Sequence, residues 1–165
     1  MILRSHHTDL PGHAETTPQR LNLLLSCGSW RTNTAVDQLP RLLNPMGISS
    51  YRVESGEEAE EVIRTYQIHI AVVDMAIPLT TRRENRPGDS GGTRIVKLLR
   101  RLHKPPPMVL VRPPQPQMKE SGRGLTVALR EGVFAVIDRP LEIESVLKVM
   151  RRIVERHYDD SWPES

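Results

Sequence analysis

In the stretch "AVVDMAIP", residues 71–78, the apolar run from Ile70 to Val73 ends in Asp74, and Pro78 follows four residues later. An acid at the tip of a buried strand has three uses. It can attack as a nucleophile, ligate a cation, or sit in an ion pair that keeps it charged. Three other apolar runs end in residues with usable chemistry. "LNLLL" leads into Ser26 and Cys27, "MVLV" into Arg112, and "FAVI" into Asp138, Arg139 and Pro140. If these ends share one edge, the crevice there holds the Asp74 carboxylate and as many as two guanidinium groups.

Other reactive side chains are weaker candidates. Cys27 is either a redox-sensitive thiol, if an arginine lies close enough to favour the thiolate, or a small apolar filler, the commoner role of a lone cysteine. Trp30, just beyond it, either lids the crevice or packs on its own loop. His6, His7 and His13 lack a fourth ligand at fixed spacing and read as solvated. His69, at the start of a strand, reads as structural. His103 and His157 follow helix ends, where a cation suits the dipole.

The elements that must position these groups can be read from periodicity. "LNLLL" and "SSYRV" are strand candidates. "DQLPRLLN" has Leu39, Leu42 and Leu43 at helical spacing, with Asp37 expected as N-cap so that Pro40 falls in the first turn. "SGEEAEEVIRTY" opens with Ser55 and Glu58 at capping-box spacing. Ile70 to Val73 is apolar on both faces, as a central parallel strand should be. Residues 79–92 read as a long inserted loop. "TRIVKLLRRL" is an amphipathic helix, "MVLV" a strand, "LTVALREG" a short helix closed by Gly132, "FAVI" a strand and "EIESVLKVMRRIVERHY" a last helix. Strand and helix alternate five times, which predicts an α/β domain with a parallel sheet covered on both faces. Sites in such sheets lie outside the carboxyl ends of the strands.

Composition narrows the setting. At 165 residues the chain is expected to form one domain: a disordered N-terminal arm over 1–20, a core over 21–156 and a tail over 157–165. There is no apolar run long enough for a transmembrane helix, and the first residues do not have the order of a secretory signal. A single cysteine fits a reducing cytoplasm. The net charge of +3 is mildly basic, but no basic stretch is interleaved with aromatics for stacking on bases, which argues against nucleic acid as partner.

With these residues in place, the sequence resembles the receiver domain of bacterial response regulators, from about Leu21 to Arg156. "DMAIP" has the form of the family's phosphoacceptor motif, with Asp74 as the acceptor equivalent. Gly92 before "TRIVKLLRRL", "REGVFAVIDRP", and Arg139-Pro140 in place of a Lys-Pro dipeptide follow in the family's order. The resemblance implies a flavodoxin-like, doubly wound (βα)5 sandwich with a parallel five-stranded sheet in the order 2-1-3-4-5. It implies a role in phosphorelay signalling through a protein partner, with no enzymatic activity and no output domain after the last helix. It also implies an output face to which Val133, Phe134, Val146 and Met150 contribute, and on which a partner or a second copy would dock.

The departures point one way. The family carries two adjacent acids after the first strand, which bind Mg²⁺ together with the acceptor. Here that region reads "LLLSCGSWRTNTAV", with no acid between Glu15 and Asp37. Recruiting Glu84 or Asp89 from the long loop would carry an ordering cost. The hydroxyl residue at the end of the fourth strand is replaced by Arg112, and the lysine by Arg139, a rigid and always-charged fork. Mg²⁺ binding is therefore expected to be weak or absent, and no cofactor is expected. Arg112, turned inward, is expected to pair with Asp74. Three readings follow: a pseudo-receiver acting by phosphorylation-independent contact, a working receiver phosphorylated on Asp74, and a binder of anions or small ligands using Arg112 and Arg139.

Overall fold

The computed structural model describes residues 20–26, 34–80, 91–112, 132–139 and 141–158. Residues 1–19 of the expected N-terminal arm, most of the inserted loop and residues 125–131 of the helix expected at "LTVALREG" lie outside the described residues. So do Cys27, Trp30 and Pro140.

Five parallel strands form one sheet in the order β2-β1-β3-β4-β5. They are β1 (Leu21–Ser26), β2 (Ile48–Val53), β3 (Ile70–Asp74), β4 (Met108–Arg112) and β5 (Val133–Asp138). Helices α1 (Thr34–Leu43) and α4 (Ile143–Tyr158) cover one side, and α2 (Gly56–Thr65) and α3 (Gly91–Arg100) the other. This is the flavodoxin-like arrangement that the alternation of elements and the family resemblance implied. Among the described residues no helix is long and apolar enough to cross a membrane.

Two apolar clusters, one on each side of the sheet, make the core. Leu23, Leu25, Val72, Val109 and Val111 meet Leu39, Leu43, Val146, Met150 and Ile153 on the α1/α4 side. Leu24, Ala71, Val73, Met108 and Leu110 meet Ala59, Ile95, Val96 and Leu99 on the α2/α3 side. Alternate residues of one strand thus feed different clusters, the period-2 rule of a pleated strand. All five residues of β3 are buried because both its faces are covered.

The helix starts show where local chemistry decides and where it is overruled. At α2 the expected N-cap forms: Ser55 Oγ accepts from the Glu58 N–H at 3.1 Å. The Glu58 carboxylate reaches back to the Glu54 N–H at 2.8 Å, one residue before the cap. At α1 the expectation fails. The helix begins at Thr34, so Asp37 is inside its first turn and Pro40 lies in the helix interior. An interior proline costs about 3 kcal/mol. Leu39 and Leu43 are both buried against the sheet, and burying each is worth about 1.5–3 kcal/mol. Tertiary burial therefore outweighs the local penalty. Asp37 instead pairs with Arg52 of β2 at 2.7 Å.

At the last helix one expectation holds, and the expected output face is corrected. The last helix ends at Tyr158, as its sequence stretch indicates, so its final turn lies beyond 156, where the core was expected to end, and the Tyr158 hydroxyl donates to the His69 carbonyl at 2.6 Å. Of the expected output face, Val133, Val146 and Met150 are buried core residues. On α4 the spacing of four from Val146 to Met150 points both at the sheet. Phe134 alone of the four is partly exposed, with the His157 ring at its edge and the Arg156 guanidinium 6.0 Å from its centroid.

The inserted loop ends two residues earlier than expected, because Gly91 and Gly92 form the first turn of α3. Both press on the chain that follows Asp74. A Cβ on Gly91 would lie 2.3 Å from the Pro78 carbonyl oxygen, and one on Gly92 would lie 2.7 Å from Met75 Cα and 2.9 Å from the Asp74 carbonyl oxygen. Intrinsic helix propensity favours alanine over glycine by about 1 kcal/mol. Overlap with rigid backbone is expected to reverse that sign. Gly91→Ala and Gly92→Ala should each lower stability by about 1–3 kcal/mol in urea unfolding, and a stabilised variant would refute this contact.

Candidate functional site

The carboxyl ends of β1, β3, β4 and β5 meet at one edge, and Asp74 sits at its centre with no exposed surface. Its surroundings satisfy every polar atom in turn. The Asp74 N–H donates to Ser26 Oγ at 2.7 Å, and the Ser26 hydroxyl donates to the Val72 carbonyl at 3.1 Å. The ladder pairing of β1 with β3 is recorded up to Leu25 and Val72, so the serine side chain carries the connection one step further. Asp74 Oδ1 accepts from the Ala76 N–H at 2.9 Å, an Asx-type turn, and its carbonyl accepts from the Ile77 N–H at 3.1 Å. Oδ2 accepts from the Arg139 guanidinium.

The arginine on Asp74 is thus Arg139, and the expected Arg112 pairing is not what the structure holds. Arg112 makes a fork with Asp138, with Nε donating to Oδ1 at 2.6 Å and Nη2 to Oδ2 at 2.9 Å. That pair sits toward solvent. The hydrogen bond to Arg112 holds the Asp138 carboxyl below its ordinary value of 3.8, and Asp138 in turn raises Arg112.

Strand parity explains the exchange. Val72 faces the α1/α4 side, so Asp74, two residues on, shares that side. Its ladder partner Val111 faces the same way, and Arg112, one residue later, faces the other. On β5 the outcome rests on an irregularity. Met108 pairs with Val133 but Val109 with Ala135, so Phe134 is an extra residue in β5. Phe134 and Ala135 in consequence both pack toward the α1/α4 side. Beyond that bulge, Ile137 and then Arg139 fall on Asp74's side, while Asp138 falls beside Arg112. Without it, Asp138 would be the residue directed at Asp74, a carboxylate against a carboxylate.

Of the residues singled out in the sequence, the structure brings Ser26, Asp74 and Arg139 into one connected group and sets Arg112 outside it. Cys27 and Pro140 are not among the described residues. Asp138 as the partner of Arg112 is the site residue that the sequence reading does not anticipate. Its signal was available: it precedes Arg139 by one residue at a strand end, so the two must point to opposite sides.

No family model matches the sequence, and no curated protein does either. Solved structures do. The chain is similar to the non-phosphorylated HemR receiver domain from Leptospira biflexa, at 14% identity and a TM-score of 0.63, over 88% of this chain and all of that one (100%). It is similar to the Francisella response regulator 1452 receiver domain, at 16% identity and a TM-score of 0.61, over 84% and 99%. A CheY-like response regulator receiver domain from Methylobacillus flagellatus matches at 20% identity and a TM-score of 0.54, over 81% and 98%. The chain has the fold of a response regulator receiver domain.

Mg²⁺ is the ion that the resemblance places at this edge. The ion asks for near-octahedral oxygen ligation, usually through carboxylates. Among the described residues no group of three His, Cys, Asp or Glu side chains comes together. Ser26, the last residue of β1, has its hydroxyl committed to β3 on both the donor and the acceptor side, and the residues after it, where the resemblance places acids, lie outside the described residues. Oδ2 of Asp74 is held by a cation of the protein itself. Both oxygens of the Asp74 carboxylate are thus already bonded within the chain.

The two arginines should separate in a stability measurement. Arg139→Met strands a fully buried carboxylate, and breaking a buried pair from one side costs about 3–5 kcal/mol. Arg112→Met breaks an exposed pair, worth about 1 kcal/mol or less. Urea unfolding of the two variants is expected to show that order, and the reverse order would place Arg112 on Asp74.

Proposed function

We propose that this chain is a receiver-like module of two-component (phosphorelay) signalling that works by contact with a protein partner, independently of phosphorylation on Asp74. The observation that carries the reading is the Asp74–Arg139 pair. Phosphoryl transfer to a carboxylate depends on positioning and on cations that neutralise the phosphoryl oxygens. Here one carboxylate oxygen accepts from the backbone of its own turn and the other from Arg139, so a phosphodonor meets an acid already engaged on both oxygens and without exposed surface. The receiver fold of the solved neighbours, which come from response regulators, supports the signalling setting. A cytoplasmic location belongs to the same proposal.

Anion binding through two free guanidinium groups loses its main support. Arg112 and Arg139 each already face a carboxylate of this chain. An incoming anion would have to displace a tethered one.

The reading is tested by intact mass after incubation with acetyl phosphate and Mg²⁺, beside an Asp74→Asn control. The expected result is no added phosphoryl group on either, with circular dichroism reporting folded protein. Addition to the wild type alone would overturn the proposal and make Asp74 a working acceptor.

A further inference from the structure

At the opposite end of the sheet from Asp74, the start of β3 is tied to β1 and to α4 through one histidine. The His69 N–H donates to the Asn22 carbonyl at 2.9 Å, and His69 Nδ1 accepts from the Asn22 N–H, also at 2.9 Å. The imidazole nitrogen thus takes the place a backbone carbonyl would hold one step before the β1–β3 ladder, which begins at Leu23 and Ile70. The His69 carbonyl accepts from the Tyr158 hydroxyl, and the two rings meet edge-on with centroids 6.3 Å apart. Tyr158 is the last residue of α4, so this bond anchors the final turn of that helix.

We propose that His69 is an acid-sensitive latch: neutral, it holds the last turn of α4 on the sheet, and protonated, it releases that turn. The chemistry is that of one nitrogen. An Nδ1 that accepts a hydrogen bond carries no proton, so the imidazole is neutral with its proton on Nε2. Protonation puts an N–H on Nδ1 that faces the Asn22 N–H, donor against donor. The clasp must open, and the His69 carbonyl moves with the residue that carries it. Tyr158 then loses its acceptor.

The groups around His69 favour the neutral form. From β1 it faces Asn22, whose side-chain amide donates to the Gln67 carbonyl at 2.8 Å in the segment before β3. From α4 it faces Tyr158, whose phenol burial pushes up to about 12, and across that ring His157. Burial lowers His69 below its ordinary value of 6.5. The sign follows: the clasp's contribution is complete above 6.5, where even the unfolded chain is neutral, and is lost as pH falls through the lower folded value.

The test is an NMR titration of the full chain from about pH 7.5 to about pH 5, across the range in which histidine changes charge. It follows the His69 ring protons together with exchange protection factors for residues 155–158 and for the core of β3 and β4. Protection of 155–158 is expected to fall about fivefold to tenfold in step with His69, the effect of one net hydrogen bond, while the core holds. Tyr158→Phe should show the low protection already at neutral pH, without a step. His69→Asn, which keeps an acceptor oxygen but does not titrate, should keep the high protection throughout. A flat profile in the wild type, a step shared with the core amides, or a step that persists in His69→Asn would each overturn the latch. None of these readouts depends on whether Asp74 is phosphorylated.

Discussion

A carboxylate with no solvent-exposed surface needs a counter-charge and hydrogen bonds, and the Asp74 carboxylate has both inside the protein. Much of the carboxyl edge of the sheet follows from that requirement. Arg139 must reach from the end of β5 across the end of β4. The strand between them is therefore bridged by side chains as well as by its ladder. Ser26 closes the gap on the β1 side. Three strand ends converge on one buried acid, and none of them can shift without exposing or stranding it.

The same geometry gives the bulge in β5 a purpose. A sheet records the sign of its edge charges through parity, and one inserted residue inverts that record. Phe134 is that residue. It sets Arg139 toward the acid and Asp138 toward the second arginine, so both ion pairs depend on one irregularity several residues away. The buried acid at this edge is balanced from within the chain, by the Arg139 guanidinium.

Much of the fold was legible in the residues. The doubly apolar run ending at Asp74 marked a central strand, Ser55 and Glu58 marked a helix start, and the stripe from Ile143 to Val154 marked the last helix. These signals are local, and local signals survive folding where packing agrees with them. Pro40 shows the other case, where two buried leucines outweigh a helix breaker. The partner of Asp74 was not legible, because two arginines at two strand ends look alike until register and bulge assign each a side. Nor was the role of His69, whose ring stands in for a backbone carbonyl, a substitution that leaves no periodicity to read. The helix through Tyr158 was legible, but the bond of its hydroxyl to the His69 carbonyl was not, because the two lie 89 residues apart in sequence.

The chain after Asp74 is held from both helix starts on the α2/α3 side. The Gly56 and Glu57 N–H groups donate to the carbonyls of Pro78 and Leu79, and the Gly91 N–H donates to that of Ile77. Gly56, Leu79 and Gly91 crowd together so closely that a methyl group on Gly56 would touch both of the others. The backbone thus departs and returns through a single doorway. Closing a longer excursion from such a doorway costs little more than closing a short one. The anchoring bonds at the two jambs are made by backbone groups outside the segment they enclose, so they do not depend on its side chains. This is a natural splice point, where the length of the enclosed segment can change without renegotiating those anchors.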